Sequence, residues 1–164
     1  MSTSDRLAAF GLELINVHEW LREELAQLRD DLSAATPPKS ELRVHCLAFC
    51  TALTRHHTGE DDTAFPALAV QFPELAPVLR KLQQDHAAIE VILSRVAELV
   101  EGFDAAAGPD EVRRVRGELD GLSAIMESHF AYEEREIVTA LNKLDVPGWH
   151  RDVPRFLKTD EDAP

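Results

Sequence analysis

The sequence predicts an all-α protein, an up-down-up-down four-helix bundle with a short C-terminal extension, on three observations. Apolar residues recur at helical spacing, and no segment alternates as a strand does. Pro and Gly interrupt the chain so that four long segments remain. Each of those segments places a His on its apolar face: His18, His56, His86 and His129.

The first helix is expected over residues 5–32, where Leu7, Leu14, Leu21 and Leu28 form a heptad stripe that Leu25 and Leu32 widen. Residues 33–40, with Pro37-Pro38, read as a loop. The second helix starts near Glu41 and runs past Glu60, with Pro66 near its end. Residues 72–77 read as a turn or an irregular helix start. The third helix continues to about Gly102 through Leu79, Leu82, His86, Ile89, Leu93, Val96 and Val100. After a loop over 103–108, Pro109-Asp110-Glu111 makes a favourable first turn, with acids at the positive end of the helix dipole. The fourth helix then runs to about Leu144, and Pro147-Gly148 ends it. Residues 1–146 form one bundle domain. Residues 147–164 form the extension, with Trp149 and Phe156 expected against the bundle and the acidic end expected to be mobile.

The chain has 164 residues, enough to bury a core without staples. Its 17 Lys and Arg against 30 Asp and Glu give a net charge of −13, which argues against nucleic acid and against an anionic membrane surface as partners. No apolar run reaches the ~20 residues of a membrane span. The N-terminus lacks the pattern of a secretory signal, so a cytoplasmic location is expected. Cys46 and Cys50 sit four apart on a helix and are expected to be reduced and packed as small apolar groups.

Two windows carry the chemistry. His56-His57-Thr58-Gly59-Glu60-Asp61 and His129-Phe130-Ala131-Tyr132-Glu133-Glu134 each hold a His, a carboxylate four residues later and a second acid directly after. Residues four apart share a helix face, so His56 points with Glu60 and His129 with Glu133. With His18 and His86 on the other two helices, this is a ligand inventory for a dinuclear metal site inside a bundle. The donor set favours iron, leaves zinc and manganese open, and does not suit calcium or magnesium. No Glu stands three residues before any His, so the Glu-x-x-His pattern of ferritin-type centres is absent.

The four His must also meet at one height. His18 lies 14 residues before Leu32 and His56 lies 15 after Glu41, both roughly 21–22 Å from their turn. His86 lies 16 before Gly102 and His129 lies 20 after Pro109, a mismatch of roughly 6 Å or one helical turn.

Residues 14–141 resemble the hemerythrin family, specifically bacterial hemerythrin-like HHE cation-binding domains. The most specific stretch is His56 to Leu68, similar to the family's H-x-x-x-E-[DE] segment ending in aromatic-Pro-x-Leu; His129 to Glu134 resembles its counterpart on the fourth helix, and Asp85-His86 the third-helix His. The resemblance implies a non-haem di-iron centre: His18 and His56 on one iron, His86 and His129 on the other, Glu60 and Glu133 bridging. One departure stands out. Oxygen-carrying hemerythrins have His-x-x-x-His on the third helix, and here the second position is Glu90. Either Glu90 is a harder ligand or that iron has an open position, and both options lead away from a pure O2 carrier.

Other polar residues receive plainer expectations. His57, one position round from His56, could bind in its place, but reads first as a supporting or helix-interface residue because Glu60 pairs with His56. Asp61 and Glu134 either orient imidazoles or face solvent. His45 is a candidate lining residue roughly 16 Å from the metals. Tyr132 is expected to pack, and His150 to lie on the surface. Four functions follow in order: a di-iron module binding O2, NO or peroxide; a di-iron oxidoreductase of unknown substrate; iron storage or donation; a metal-free helical interaction module. A homodimer is compatible with all four.

Overall fold

The computed structural model describes residues 3–34, 39–103 and 108–159. The Pro37-Pro38 turn, the interior of the 103–108 loop, the acidic end and the side chains of Leu7 and His150 fall outside the described residues. In chain order come α1 (Thr3–Ser33), α2 (Lys39–Gly59), a π-helical turn (Glu60–Ala64), α3 (Phe65–Gln71), a 3-10 turn (Pro73–Leu75), α4 (Ala76–Glu101), α5 (Pro109–Lys143), α6 (Gly148–Arg151) and a second 3-10 turn (Arg155–Leu157). There is no strand among the described residues.

α1 packs on α2 and α5, and α4 packs on the same two, so the four long helices close a square with sequence neighbours side by side. This is the predicted all-α bundle. Its boundaries differ from the sequence expectation mainly after His57. Pro66 has no N–H to donate to Asp62, and its ring would press on that carbonyl in a regular helix. The chain widens instead: the Phe65 N–H reaches back five residues to the Glu60 carbonyl. Single π turns of this kind recur at functional sites.

Core packing fixes the common height of the four His. Within the four long helices, the outermost buried residues toward the two loops are Leu32 and Leu42 on one side, Val100 and Val115 on the other. Leu32 follows His18 by 14 residues, Leu42 precedes His56 by 14, Val100 follows His86 by 14, and Val115 precedes His129 by 14. The one-turn mismatch counted from Pro109 disappears because residues 109–111 are exposed and project past the core. Each His therefore stands about 21 Å below the loop end of the bundle.

Two apolar clusters flank that level. One fills the loop end with Leu21, Leu25, Leu28, Phe49, Leu53, Leu93, Val96, Leu119, Leu122 and Phe130. The other holds Phe10, Leu14, Phe65, Leu68, Leu82, Ile137, Leu141 and, from the C-terminal segment, Phe156 and Leu157. Trp149 stands edge-on to both Phe10 and Phe156, so the extension is packed on the bundle as expected. Gly11 leaves room for a contact of α1 with α5: its N–H donates to Asn142 Oδ1 at 2.8 Å, and a Cβ there would collide with Asn142 and Val138.

Candidate metal centre

On a helix turning about 100° per residue, Glu60 lies 40° past His56 and 60° short of His57. All three project into the bundle, with Glu60 between the two His, and all are buried. α1 contributes His18, α4 contributes His86, and α5 contributes His129 and Glu133, each buried as well.

These side chains form two groups. His57, Glu60, His86 and His129 offer ligand atoms that all lie within 4.8 Å of one another, and so do His18, His56 and Glu133. The carboxylates face both groups. Glu60 Oε1 is 3.3 Å from His56 Nε2 and 3.5 Å from His86 Nε2. Glu133 turns Oε2 to His129 Nε2 at 3.1 Å and Oε1 to His18 Nε2 at 3.8 Å. The Nε2 atoms of all five His and both oxygens of both Glu are buried without a hydrogen-bond partner. An orphaned buried polar atom costs about 1–3 kcal/mol. So dense a set of them is explained by a cation that takes their lone pairs, and five imidazoles with two carboxylates suit a transition metal.

The outer nitrogens fix the tautomers. His56 Nδ1 donates to the Phe156 carbonyl at 2.7 Å, His86 Nδ1 to Asp61 at 2.8 Å and His129 Nδ1 to Asp85 at 3.1 Å. With the proton on Nδ1, the Nε2 lone pair points inward, the arrangement common to metal-binding His. Lys81 in turn holds Asp85 at 3.0 Å, and His129 and Lys81 keep that carboxyl below its usual range against the effect of burial. Phe130 stacks on His18 with ring centroids 3.8 Å apart, and Phe65 stacks on His86 at 5.6 Å, so apolar faces close the site toward both clusters.

Without metal the charges conflict. Burial and the neighbouring Glu133 push Glu60 well above the ordinary carboxylate range. Burial would also raise Glu133, but Glu60, His129 and His18 hold it low. Burial, with His18 beside it, lowers His56 to about 3, and burial with His86 nearby drives His57 well down.

Six of the seven residues singled out from the sequence come together here: His18, His56, Glu60, His86, His129 and Glu133. Glu90 does not. It is exposed and accepts a hydrogen bond from Thr54 at 3.2 Å. The buried stripe of α4 runs through Leu82, His86, Ile89 and Leu93. Glu90 lies 40° past His86 on the side away from Ile89, and so points to the α2 flank. His57 occupies the space instead, its ring stacked on His86 at 4.0 Å.

Sequence reasoning gave His57 only as a substitute for His56 and ranked a supporting role first, because Glu60 pairs with His56. The signal that could have found it is the 100° arc from 56 to 57, within which Glu60 falls. Asp85 and the Phe156 carbonyl were also missed as imidazole partners. Asp61 orients His86, whereas Glu134 bonds Arg22 and stands 3.7 Å from His18 Nδ1. His45 does not line the bundle interior; it is half-buried and pairs with Glu24 at 3.1 Å. Cys46 and Cys50 are free thiols in the core, pushed up to about 12 and about 11 chiefly by burial.

A four-helix bundle with inward His and Glu in two groups defines a helical metal-binding protein. The family model of the hemerythrin HHE cation-binding domain matches residues 13–141, and the chain belongs to that family. No curated protein and no solved structure matches the chain. No helix among the described residues is long and apolar enough to cross a membrane.

Proposed function

We propose that the chain is a non-haem di-iron protein that binds O2, NO or peroxide between its helices. One ion would be held by His57, Glu60, His86 and His129, the other by His18, His56 and Glu133, with each Glu facing both. The observation that carries this is the set of inward Nε2 and carboxylate oxygen atoms, buried, orphaned and grouped within 4.8 Å. Iron bound there would supply a redox-active centre open to a small ligand. The chain's own part is to hold and shield: the Phe156 carbonyl, Asp61 and Asp85 keep three lone pairs inward, and Phe65 and Phe130 keep bulk water from the imidazoles.

The oxidoreductase reading has one observation in its favour. A groove of about 460 Å³ runs between α2 and α4, lined by Leu47, Cys50, Thr54, Thr58, Glu90 and Leu93 among others. Thr58 follows His57 in sequence, and Glu90 is one turn past His86, so the groove adjoins the four-residue group. Its volume falls in the range of small-molecule sites.

Elemental analysis of protein purified without chelators, followed by spectra under O2, NO and peroxide, tests both readings. About two irons per chain and a spectrum that reverses when the gas is removed support the binding module. Decay of that spectrum with turnover of peroxide or an added reductant supports the enzyme. No metal after anaerobic Fe(II) loading overturns both.

A further inference from the structure

Among His18, His56, His86 and His129, His18 alone has an outer nitrogen without a hydrogen bond. The Nδ1 atoms of the other three reach acceptors at 2.7, 2.8 and 3.1 Å. His18 Nδ1 has none, and Glu134 Oε1 stands 3.7 Å away. The carboxylate is engaged elsewhere. Arg22, one turn along α1, grips it with both terminal nitrogens: Nη2 to Oε2 at 2.9 Å and Nη1 to Oε1 at 3.3 Å. Arg22 is itself anchored by Glu127 at 2.9 Å and Glu19 at 2.6 Å. Its guanidinium also lies 5.3 Å from the centre of the Phe130 ring, whose face stacks on His18. One side chain therefore restrains both what lies beyond the His18 Nδ1 and what covers the His18 ring.

We propose that Arg22 is a positioning residue for His18, holding Glu134 back from Nδ1 so that His18 is the least strongly supported of the imidazoles of His18, His56, His86 and His129. This rests on the metal reading above. A carboxylate bonded to Nδ1–H makes an imidazole a stronger donor to a metal, and a bidentate Arg competes for that carboxylate. Releasing Glu134 from Arg22 is then what strengthens His18.

Co(II) serves as the probe, because the Nδ1–H protons of coordinated imidazoles are resolved by their paramagnetic shifts. Solvent exchange of those protons is measured in the Co(II)-loaded full-length chain. In the unsubstituted protein the His18 proton exchanges faster than those of His56, His86 and His129. In Arg22→Met, Glu134 is freed, and that proton slows by roughly tenfold or more, the protection expected of a charge-assisted bond. Arg22→Lys, which keeps the charge and loses the fork, falls between. In Arg22→Met with Glu134→Gln the slowing vanishes, while circular dichroism and Co(II) content stay as in the parent. An unchanged or faster His18 proton in Arg22→Met, with Co(II) bound, overturns the proposal and leaves the metal reading intact. Should Arg22→Met not fold, Arg22→Lys carries the test with the same sign. Failure of the unsubstituted protein to bind Co(II) or Fe(II) removes the metal reading and this proposal with it.

Discussion

His56 Nδ1 donates to the carbonyl oxygen of Phe156, 2.7 Å away and 100 residues along the chain. A backbone atom of the C-terminal segment thus sets the tautomer of an imidazole in the bundle core. The contact depends on Gly59, where a Cβ would run into the Phe156 side chain. Gly59→Val is expected to push the segment off the bundle, destabilising the fold by about 1–3 kcal/mol. It should also weaken metal binding by roughly tenfold to a hundredfold through the lost His56 partner. Denaturant melts and chelator competition measure the two effects. Parent-like affinity in this variant would show that the Phe156 carbonyl does not matter to the site.

His57 and Glu90 separate the residues the structure gathers from those the sequence suggests as ligands. His57→Ala should lower metal content, with the four-residue group losing a donor, while Glu90→Gln should leave it within error of the parent. Metal per chain after dialysis against a weak chelator distinguishes them. The opposite pattern would restore Glu90 to the centre and remove His57.

Much of the bundle was legible because burial repeats along the sequence. The leucine stripe of α1 and the stripe through His86 on α4 gave both the helices and their inward faces, and the carboxylate four residues after His56 or His129 follows from the helical repeat alone. Glu90 was misplaced because a shared helix face is a 40° statement, and the edge of a buried stripe is narrower than that. His57 was weighed only as a replacement for His56 for the complementary reason: neighbours 100° apart can both point inward when a carboxylate sits between them. The Phe156 carbonyl has no side-chain signature at all. The π turn, by contrast, had a cause in plain view at Pro66.

Asp85 tests the imidazole partners without disturbing the core, since it is only part-buried and accepts from both His129 and Lys81. Asp85→Asn should weaken metal binding by about tenfold to a hundredfold and change stability by less than about 1 kcal/mol. Isothermal titration and a denaturant melt of the metal-free protein give the two numbers. A large stability loss with unchanged affinity would recast Asp85 as a purely structural residue.

The metal-free protein should respond to pH in two opposed ways. His56 and His57 are depressed in the fold, His56 to about 3, so the unfolded chain takes up protons near pH 6.5 that the native state refuses. The stability they contribute is complete above about pH 6.5 and is lost as pH falls below it, for His56 toward about 3. Glu60 is raised well above 4.5, so its contribution is present below about pH 4.5 and lost as pH rises through its folded value. Glu60→Gln should therefore make metal-free protein more stable at pH 8 by about 1–3 kcal/mol and steepen the loss between pH 6.5 and 4.5, while abolishing tight metal binding. Denaturant melts across this range check the sign; a variant no more stable than the parent at pH 8 would mean that Glu60 is not strained by burial.

The level at which the imidazoles meet also divides the hydrophobic interior into two compartments, one toward the loops and one closed by Phe156 and Leu157. Oil does not run continuously from end to end of this bundle; a polar stratum interrupts it. Each half must then be joined to the other by whatever occupies that stratum. A cation held there would act as a rivet through the middle of the four helices, and the two ends would then melt as one cooperative unit. Without one, the same stratum would be a seam, and the end holding Phe156 would be expected to open while the loop end stays folded.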